Sequence, residues 1–155
     1  MLTLSALLVL CAASCVFCGP FHASCSVVWN SNGNCDYFHT KIVNQIKAWN
    51  GTSGCANGGE KCRYSLVSQS RYQINATHKN ANTHYKDDLN FNFFQISYSC
   101  SIKGYSTSEN PNLVLDNGTN YCNLYNLITG AGLELKESVS DPTCTQFSIA
   151  DCSKY

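Results

Sequence analysis

A long run of alternating apolar and polar residues in the middle of the chain, residues 88–103, predicts the main strand of the fold. Leu89, Phe91 and Phe93 alternate with asparagines, and the apolar positions then continue on the opposite parity as Ile96, Tyr98, Cys100 and Ile102. Alternation with a period of two is typical of an antiparallel strand that buries one face. The change of parity at Phe93–Phe94 predicts a β-bulge or bend inside this strand.

An amphipathic helix is predicted before this strand. Asp36 is the expected N-cap residue, and Gly51 can terminate the helix after its last apolar position. The apolar residues recur at helical spacing as Phe38, Ile42, Val43, Ile46 and Trp49. Such an apolar face needs a sheet or a second helix to cover it.

Shorter strands are predicted from the same alternation at 25–29, 62–66 and 71–77. Residues 113–116 are predicted to form a strand that enters a hairpin turn at Asn117-Gly118, because Asn-Gly accepts the positive φ angles of a type I′ turn. Residues 121–128 fit either the partner strand or a short helix, which Gly130 and Gly132 would end.

One helix followed by antiparallel strands predicts an α+β class, with one N-terminal helix packed on a single antiparallel sheet and disulfides holding the fold together. Cystatin-like folds share this order of elements, so a cystatin-like architecture is one expectation. The likeness stops at architecture, because the inhibitory Gln-x-Val-x-Gly loop is absent and Gln-Ile-Lys-Ala-Trp at 45–49 does not match it. A sandwich with the helix at its side is the alternative.

The first 18 residues form an apolar segment that is too short to span a membrane. We interpret residues 1–18 as a secretory signal peptide and residues 19–155 as a single secreted cysteine-rich domain. Cleavage after Ser14 is the alternative. No later stretch is long and apolar enough for a membrane span.

Cysteines give the clearest information on compartment. Cleavage after Cys18 leaves an even number, which predicts four disulfides in an extracellular chain. The remaining cysteines are Cys25, Cys35, Cys55, Cys62, Cys100, Cys122, Cys144 and Cys152. Cleavage after Ser14 would leave ten, also an even number. Short separations favour Cys55–Cys62 and Cys144–Cys152 as local pairs, and the absence of a Cys-x-x-Cys pair after residue 18 argues against a zinc site.

Charge and glycosylation motifs narrow the class of partner. Ten basic residues balance ten acidic ones without a basic block, which argues against binding nucleic acid or an anionic membrane by charge. Asn-x-Ser/Thr motifs at Asn50, Asn75 and Asn117 predict N-glycosylation of at least two of these residues. Asn-Gly-Thr-x-x-Cys occurs at 50–55 and 117–122, which we interpret as two glycosylated turns followed by disulfides rather than an internal duplication.

The candidate acid–base or metal-binding residues lie in one polar segment and are His78, His84, Asp87 and Asp88. Their spacing matches no metal motif, and we interpret the segment as an exposed loop between strands. Asp87 and Asp88 would point to opposite sides of an extended chain. Gly-x-Ser-x-Gly, His-Glu-x-x-His and phosphate-binding glycine motifs are absent from the sequence, which therefore indicates no catalytic residue, metal or cofactor.

These features favour a secreted, glycosylated, monomeric module that binds an extracellular protein or a carbohydrate without catalysis. A small secreted hydrolase that uses His78 or His84 is one alternative. A carrier whose 89–102 face lines a cavity for a hydrophobic ligand is the other. A cleft where a histidine meets a carboxylate would support the hydrolase, an apolar cavity the carrier, and an exposed aromatic patch the binding module. The pattern leaves open the burial of Trp29, Tyr37, Tyr121 and Tyr125.

Overall fold

Four consecutive strands separate the two helices along the chain, as expected of an α+β protein. A computed structural model describes residues 22–153. Its elements are β1 (Ser24–Asn32), α1 (Cys35–Ala48), β2 (Tyr64–Ser70), β3 (Gln73–Lys79), β4 (Lys86–Ile96), β5 (Ser99–Ser108), α2 (Thr119–Gly130) and β6 (Lys136–Ser138), with short 3₁₀ segments at Ser53–Gly58 and Phe147–Ile149. The predicted α+β class with a helix packed on one antiparallel sheet is confirmed. The predicted signal peptide, residues 1–18, lies outside the described residues.

The strands form one antiparallel sheet in the order β2-β3-β4-β5-β1-β6. The first strand of the chain therefore lies between β5 and the short edge strand β6. The sequence predicted only a short strand at 25–29, whereas β1 covers nine residues. Between residues 22 and 153, no helix is long and apolar enough to cross a membrane.

The change of parity near Phe94 is caused by a hairpin turn and not by a bulge, so the prediction of one long strand was wrong. β4 and β5 pair in continuous register, and Ile96 pairs with Ser99 around a two-residue turn at Ser97-Tyr98. Ser97 has a positive φ of 53° in this turn. Even-numbered residues of β5 therefore face the same side as odd-numbered residues of β4. The described bulge lies in β2, between Leu66 and Ser68.

The N-cap of helix α1 lies two residues earlier than predicted. Asn34, and not Asp36, is the N-cap residue, because its side-chain oxygen accepts a hydrogen bond of 2.9 Å from the Asp36 backbone N–H. Asp36 instead lies in the first turn, where its charge suits the helix dipole. The predicted apolar face is confirmed, since Phe38, Ile42, Val43 and Ile46 are all buried.

Residues 113–116 are not assigned to a strand, so the predicted hairpin at Asn117-Gly118 was wrong. Both residues do have positive φ, 54° and 77°, but the chain then enters helix α2. The Asp116 carboxylate explains this outcome, because it accepts hydrogen bonds from the backbone N–H groups of Gly118 and Asn120 and so satisfies the first turn of a helix.

Both helices cover the same face of the sheet and enclose one hydrophobic core. Trp29, Phe91 and Ile102 from the strands lie in one buried cluster with Ile42 from α1 and Leu124 from α2. The Trp29 ring takes the space above Gly104, where an added Cβ would lie 2.6 Å from it. Since the 89–102 face packs against the helices, it contributes to the core and not to the wall of a carrier's cavity.

Four disulfides link the described residues, as predicted in number. The expected Cys55–Cys62 bridge is present. The expected Cys144–Cys152 bridge was wrong: Cys144 pairs with Cys25, and Cys152 pairs with Cys122. The reason is tertiary, since Cys25 and Cys144 also lie opposite each other in an antiparallel β-bridge. The last bridge, Cys35–Cys100, joins the start of α1 to β5.

Candidate functional site

Exposed aromatic side chains gather at the end of the sheet formed by the β2–β3 and β4–β5 turns. We call this surface the aromatic tip; it consists of Tyr37, Tyr72, Phe94, Ile96 and Tyr98. Phe94 is 53% exposed and Tyr98 is 89% exposed. Two of these side chains, Tyr72 and Tyr98, line a groove of about 450 Å³ that also contains Arg71 and Asp36.

The turn that carries the tip is held in place by one glutamine side chain. Gln95 Oε1 accepts a hydrogen bond of 2.7 Å from the Cys35 backbone N–H, and its Nε2 donates to the carbonyl oxygens of Ser97 and Gly33. The Gly33 N–H in turn donates to the Tyr98 carbonyl oxygen over 2.7 Å. These bonds, with the neighbouring Cys35–Cys100 disulfide, attach the β4–β5 turn to the start of α1.

Buried polar side chains gather at the opposite end of the same sheet. His78 on β3 and Asp87 on β4 are register partners, and both side chains are buried beneath α2. The interpretation of 78–87 as an exposed loop was therefore wrong for these two residues. It holds for His84, which is exposed in the β3–β4 loop. Asp87 is buried and Asp88 exposed, so the expected opposite orientation of the two carboxylates is confirmed.

His78 is enclosed and neutral. Its Nε2–H donates to the Glu60 carbonyl oxygen over 3.0 Å and lies 3.7 Å from the Glu60 carboxylate, while its ring centroid is 4.3 Å from that of Tyr64. Burial lowers the pKa of His78 to about 4, so the ring carries no charge at neutral pH. Among the described residues, its Nδ1 has no hydrogen-bond partner.

No ion pair compensates the charge of Asp87 within residues 22–153. Its Oδ2 accepts a hydrogen bond of 2.7 Å from the side-chain amide of Asn123 on α2. Burial raises the pKa of Asp87 to about 6, although the hydrogen bonds from Asn123 and Ser108 act in the opposite direction. His78 and Asp87 are thus cross-strand neighbours whose pKa values are shifted in opposite directions from their ordinary values.

Two further carboxylates at this end hold loops in place. Glu60 accepts hydrogen bonds from the Ala81 backbone N–H at 2.8 Å and from the Asn82 amide at 2.7 Å. Asp116 accepts from the Asn120 backbone N–H at 2.8 Å and from the Asn120 side-chain amide at 2.7 Å, besides its bond from the Gly118 N–H. Both side chains are buried, and their oxygens are occupied by structural hydrogen bonds.

A surface cleft of about 360 Å³ opens beside these groups, and we call it the polar cleft. It is lined by Glu60, Asn80, Asn82, Thr83, Tyr85, Asp87, Leu113, Leu115, Asp116, Asn117 and Thr119. No lysine or arginine is among these lining residues. Within residues 22–153, no group of three or more histidine, cysteine, aspartate or glutamate side chains is arranged to hold a metal ion.

The three predicted glycosylation residues have different surroundings. Asn50 is exposed just after α1, and Asn117 is exposed where it lines the polar cleft. Asn75 is half-buried on the outer face of the sheet, where its amide nitrogen donates to Gln73 Oε1 at 3.3 Å and to Ser68 Oγ at 2.9 Å. The side-chain oxygen of Asn75 accepts a hydrogen bond from the Asn90 amide. The Asn92 amide donates to the Asn90 oxygen and the Gln73 amide donates to the Asn92 oxygen, so the four side chains form a closed ring of hydrogen bonds. Both amide hydrogens of Asn75 are therefore occupied in the folded chain.

Burial of His78 and Asp87 was not predicted, because the predicted strands end at residue 77 and begin again at residue 88, which leaves both residues outside them. Ile74 and Ala76 share the parity of His78, and Leu89 and Phe91 share the parity of Asp87, so continued alternation would have placed both polar residues inside. Of the aromatics left open, Trp29 and Tyr121 are buried, Tyr125 is half-buried and Tyr37 is exposed.

No protein-family model, curated protein or solved structure matches this chain. The likeness to cystatin-like folds therefore concerns the order of elements alone. Among the described residues, two surfaces are candidates for a functional site: the aromatic tip, which exposes large apolar side chains, and the polar cleft, which is concave and lined by polar groups.

Proposed function

We propose that the chain is a secreted, non-catalytic binding module whose aromatic tip docks on another extracellular protein. The observation that carries this proposal is the concentration of five exposed aromatic and aliphatic side chains at one end of the sheet. Large apolar side chains that a fold leaves exposed together often mark an interaction surface. Four disulfides support an oxidising, extracellular setting.

The composition of the tip suits a protein partner. Tyrosine and arginine are enriched among the residues that dominate protein–protein binding energy. The Arg71 guanidinium lies over the Tyr72 ring, and its Nε is 3.6 Å from the Asp36 carboxylate. Phe94 and Ile96 offer apolar area but no hydrogen-bonding group for a sugar hydroxyl. Because Gln95 already holds the turn, docking would cost little additional ordering.

The histidines give the hydrolase alternative little support. A general base has to reach the proton that it removes, and His78 is fully buried. His84 is exposed, but its Nδ1 lies 3.5 Å from the guanidinium group of Arg63, which cannot orient it as a carboxylate would. We therefore propose that binding takes place without catalysis and that the free protein is a monomer.

A matched pair of variants tests the tip. The tip variant is Phe94→Ser/Tyr98→Ser, and the control is Val67→Ser/Ile149→Ser, which replaces side chains that are 65% and 60% exposed elsewhere. Wild type is screened by surface plasmon resonance against a panel of purified extracellular domains. For each binder found, we expect about 100-fold weaker affinity of the tip variant and less than about threefold change in the control.

Three results would overturn the proposal. One is a panel in which every binder retains its affinity for the tip variant, and another is a panel in which no domain binds. The third comes from sedimentation of the purified protein: a dimer that the tip variant dissociates would show that a second copy of the chain occupies the tip. Circular dichroism of both variants checks whether the fold is retained.

A further inference from the structure

We propose that an N-linked glycan on Asn117 folds back into the polar cleft, so that its first N-acetylglucosamine residues fill this space. The inference is independent of the aromatic tip, which lies at the other end of the sheet. It assigns to the cleft an occupant that is covalently part of the mature molecule. Three observations lead to it: the position of Asn117, the chemistry of the cleft and the contrast with the other two sequons.

The position of Asn117 fixes where its glycan begins. The residue lines the cleft and its side chain is exposed, and no hydrogen bond of its side-chain amide is found within residues 22–153. Its backbone is held on both sides: the Asn117 N–H donates to Gln146 Oε1 over 2.7 Å, and Asp116 and Gly118 are joined by a hydrogen bond of 3.1 Å. A sugar attached to this amide therefore starts at the edge of the cleft with a defined direction.

The covalent step needs a polyprenyl-diphosphate-linked oligosaccharide, which is the glycosyl donor of the secretory pathway. The Asn117 amide nitrogen forms a bond to C1 of N-acetylglucosamine while the bond between C1 and the diphosphate oxygen breaks. The amide loses one proton, and the diphosphate leaves with the bonding electron pair. Asn117-Gly118-Thr119 supplies the motif that this transfer requires.

The groups that line the cleft suit an uncharged sugar. Its volume of about 360 Å³ lies at the lower end of the range for small-ligand pockets. Asn80 Oδ1 already accepts from two backbone N–H groups and Asn82 Nδ2 already donates to Glu60, which leaves Asn80 Nδ2 to donate and Asn82 Oδ1 to accept. The Tyr85 hydroxyl can do both toward sugar hydroxyls and the acetamido group. Leu113 and Leu115 offer apolar surface to the acetyl methyl group. The lining residues include carboxylates but no lysine or arginine, so the cleft would repel a phosphate or an acidic sugar.

Attachment makes weak contacts sufficient. A tethered sugar meets the cleft at a high effective concentration, so it does not need the affinity that a free saccharide would need. Asn50 offers the contrast, since it is exposed in the turn after α1 and the adjacent Gly51 has no atom within 4 Å of an added Cβ. A glycan on Asn50 would extend into solvent and serves as the internal control.

Native deglycosylation tests the proposal on full-length protein secreted from animal cells. Single-site forms are made as Asn50→Gln/Asn75→Gln, which keeps Asn117, and Asn75→Gln/Asn117→Gln, which keeps Asn50. We expect a peptide N-glycosidase to release the Asn117 glycan at least about tenfold more slowly than the Asn50 glycan from folded protein. After denaturation and reduction the two rates should be equal.

A second variant tests whether slow release of the Asn117 glycan is caused by contacts with the cleft or only by the local backbone around Asn117. Tyr85→Ala removes a ring that is 47% exposed in the cleft but leaves the Asn117 motif intact, so it should restore rapid release of the Asn117 glycan. Three findings would each overturn the inference: an unglycosylated Asn117 peptide by mass spectrometry, equal release from Asn50 and Asn117 in the folded protein, or slow release that Tyr85→Ala does not change. None of them bears on the aromatic tip.

Discussion

The two ends of the sheet differ in which side chains they bury, although the same strands form both ends: one end exposes apolar side chains and the other buries polar ones. At the aromatic tip, Phe94 and Ile96 stand exposed at the end of β4. At the polar end, His78 and Asp87 lie buried on β3 and β4, where α2 covers them. Burial in this protein is thus determined by which part of the sheet the helices cover, and hydrophobicity alone does not predict it.

Because of this difference, we expect the polar end to contribute to the stability of the fold and the aromatic tip to contribute to binding. The polar end contains buried charged and hydrogen-bonding groups. Removing the hydrogen-bond partner of such a group lowers the free energy of unfolding, because the group that remains is buried, unpaired and no longer hydrated. The tip contains apolar groups that touch little of the rest of the chain. Substitutions at the polar end should therefore change the free energy of unfolding, and substitutions at the tip should leave it nearly unchanged.

The largest expected effect comes from Asp116→Ala. It removes the acceptor of three hydrogen bonds at the start of α2, so we expect the free energy of unfolding to fall by about 3 kcal/mol. Urea denaturation with the disulfides intact measures this loss. Asp88→Ala, which removes an exposed carboxylate from β4, is the control and should cost less than about 0.5 kcal/mol. Equal losses in the two variants would contradict the role of the Asp116 hydrogen bonds, since both carboxylates lie at the polar end and only Asp116 is buried and bonded.

The next effect concerns pH. The pKa of Asp87 is raised from 3.8 to about 6 by burial, so between these values the folded chain binds more protons than the unfolded chain and stability falls as pH rises. The pKa of His78 is lowered from 6.5 to about 4, again mainly by burial, so there stability rises with pH. In wild type the two slopes oppose each other between about pH 4 and 6.

Single variants should expose each slope. Relative to wild type, Asp87→Asn should gain stability as pH rises from 4 to 6, and His78→Asn should lose it, each by about 2 kcal/mol over the interval. Urea midpoints measured every half pH unit give the curves. If both variants run parallel to wild type, the two side chains do not titrate as their burial implies.

The smallest effect is expected at the tip. Tyr98 is 89% exposed, so Tyr98→Ser should change the free energy of unfolding by less than about 0.5 kcal/mol. Thermal denaturation compared with wild type gives the value. A loss above about 1 kcal/mol would show that the Tyr98 side chain supports the fold, and the contrast between the two ends would then fail.

Local patterns predicted the parts of the fold that depend on near neighbours. The apolar face of α1 and the alternation of β3, β4 and β5 follow from residue spacing, and the evenness of the cysteine count gave four disulfides. The turn at Ser97-Tyr98 was missed because it contains neither glycine nor asparagine.

The two candidate surfaces required tertiary information. Asn117-Gly118 was correctly expected to have positive φ, but only the Asp116 hydrogen bonds show that a helix follows. Partners such as Cys25 and Cys144 are 119 residues apart, and no local signal specifies their pairing. Burial of His78 and Asp87 depends on α2, which the sequence left open between strand and helix.

The position of β1 between β5 and β6 has a consequence for biosynthesis. β1 precedes both of its neighbours in the chain, with register partners 67 to 83 residues later in β5 and 106 to 110 residues later in β6. The sheet therefore cannot close, and Cys25 cannot meet Cys144, until synthesis has reached a residue 119 positions further along the chain. Until then the Cys25 thiol is unpaired and β1 presents an uncovered strand edge.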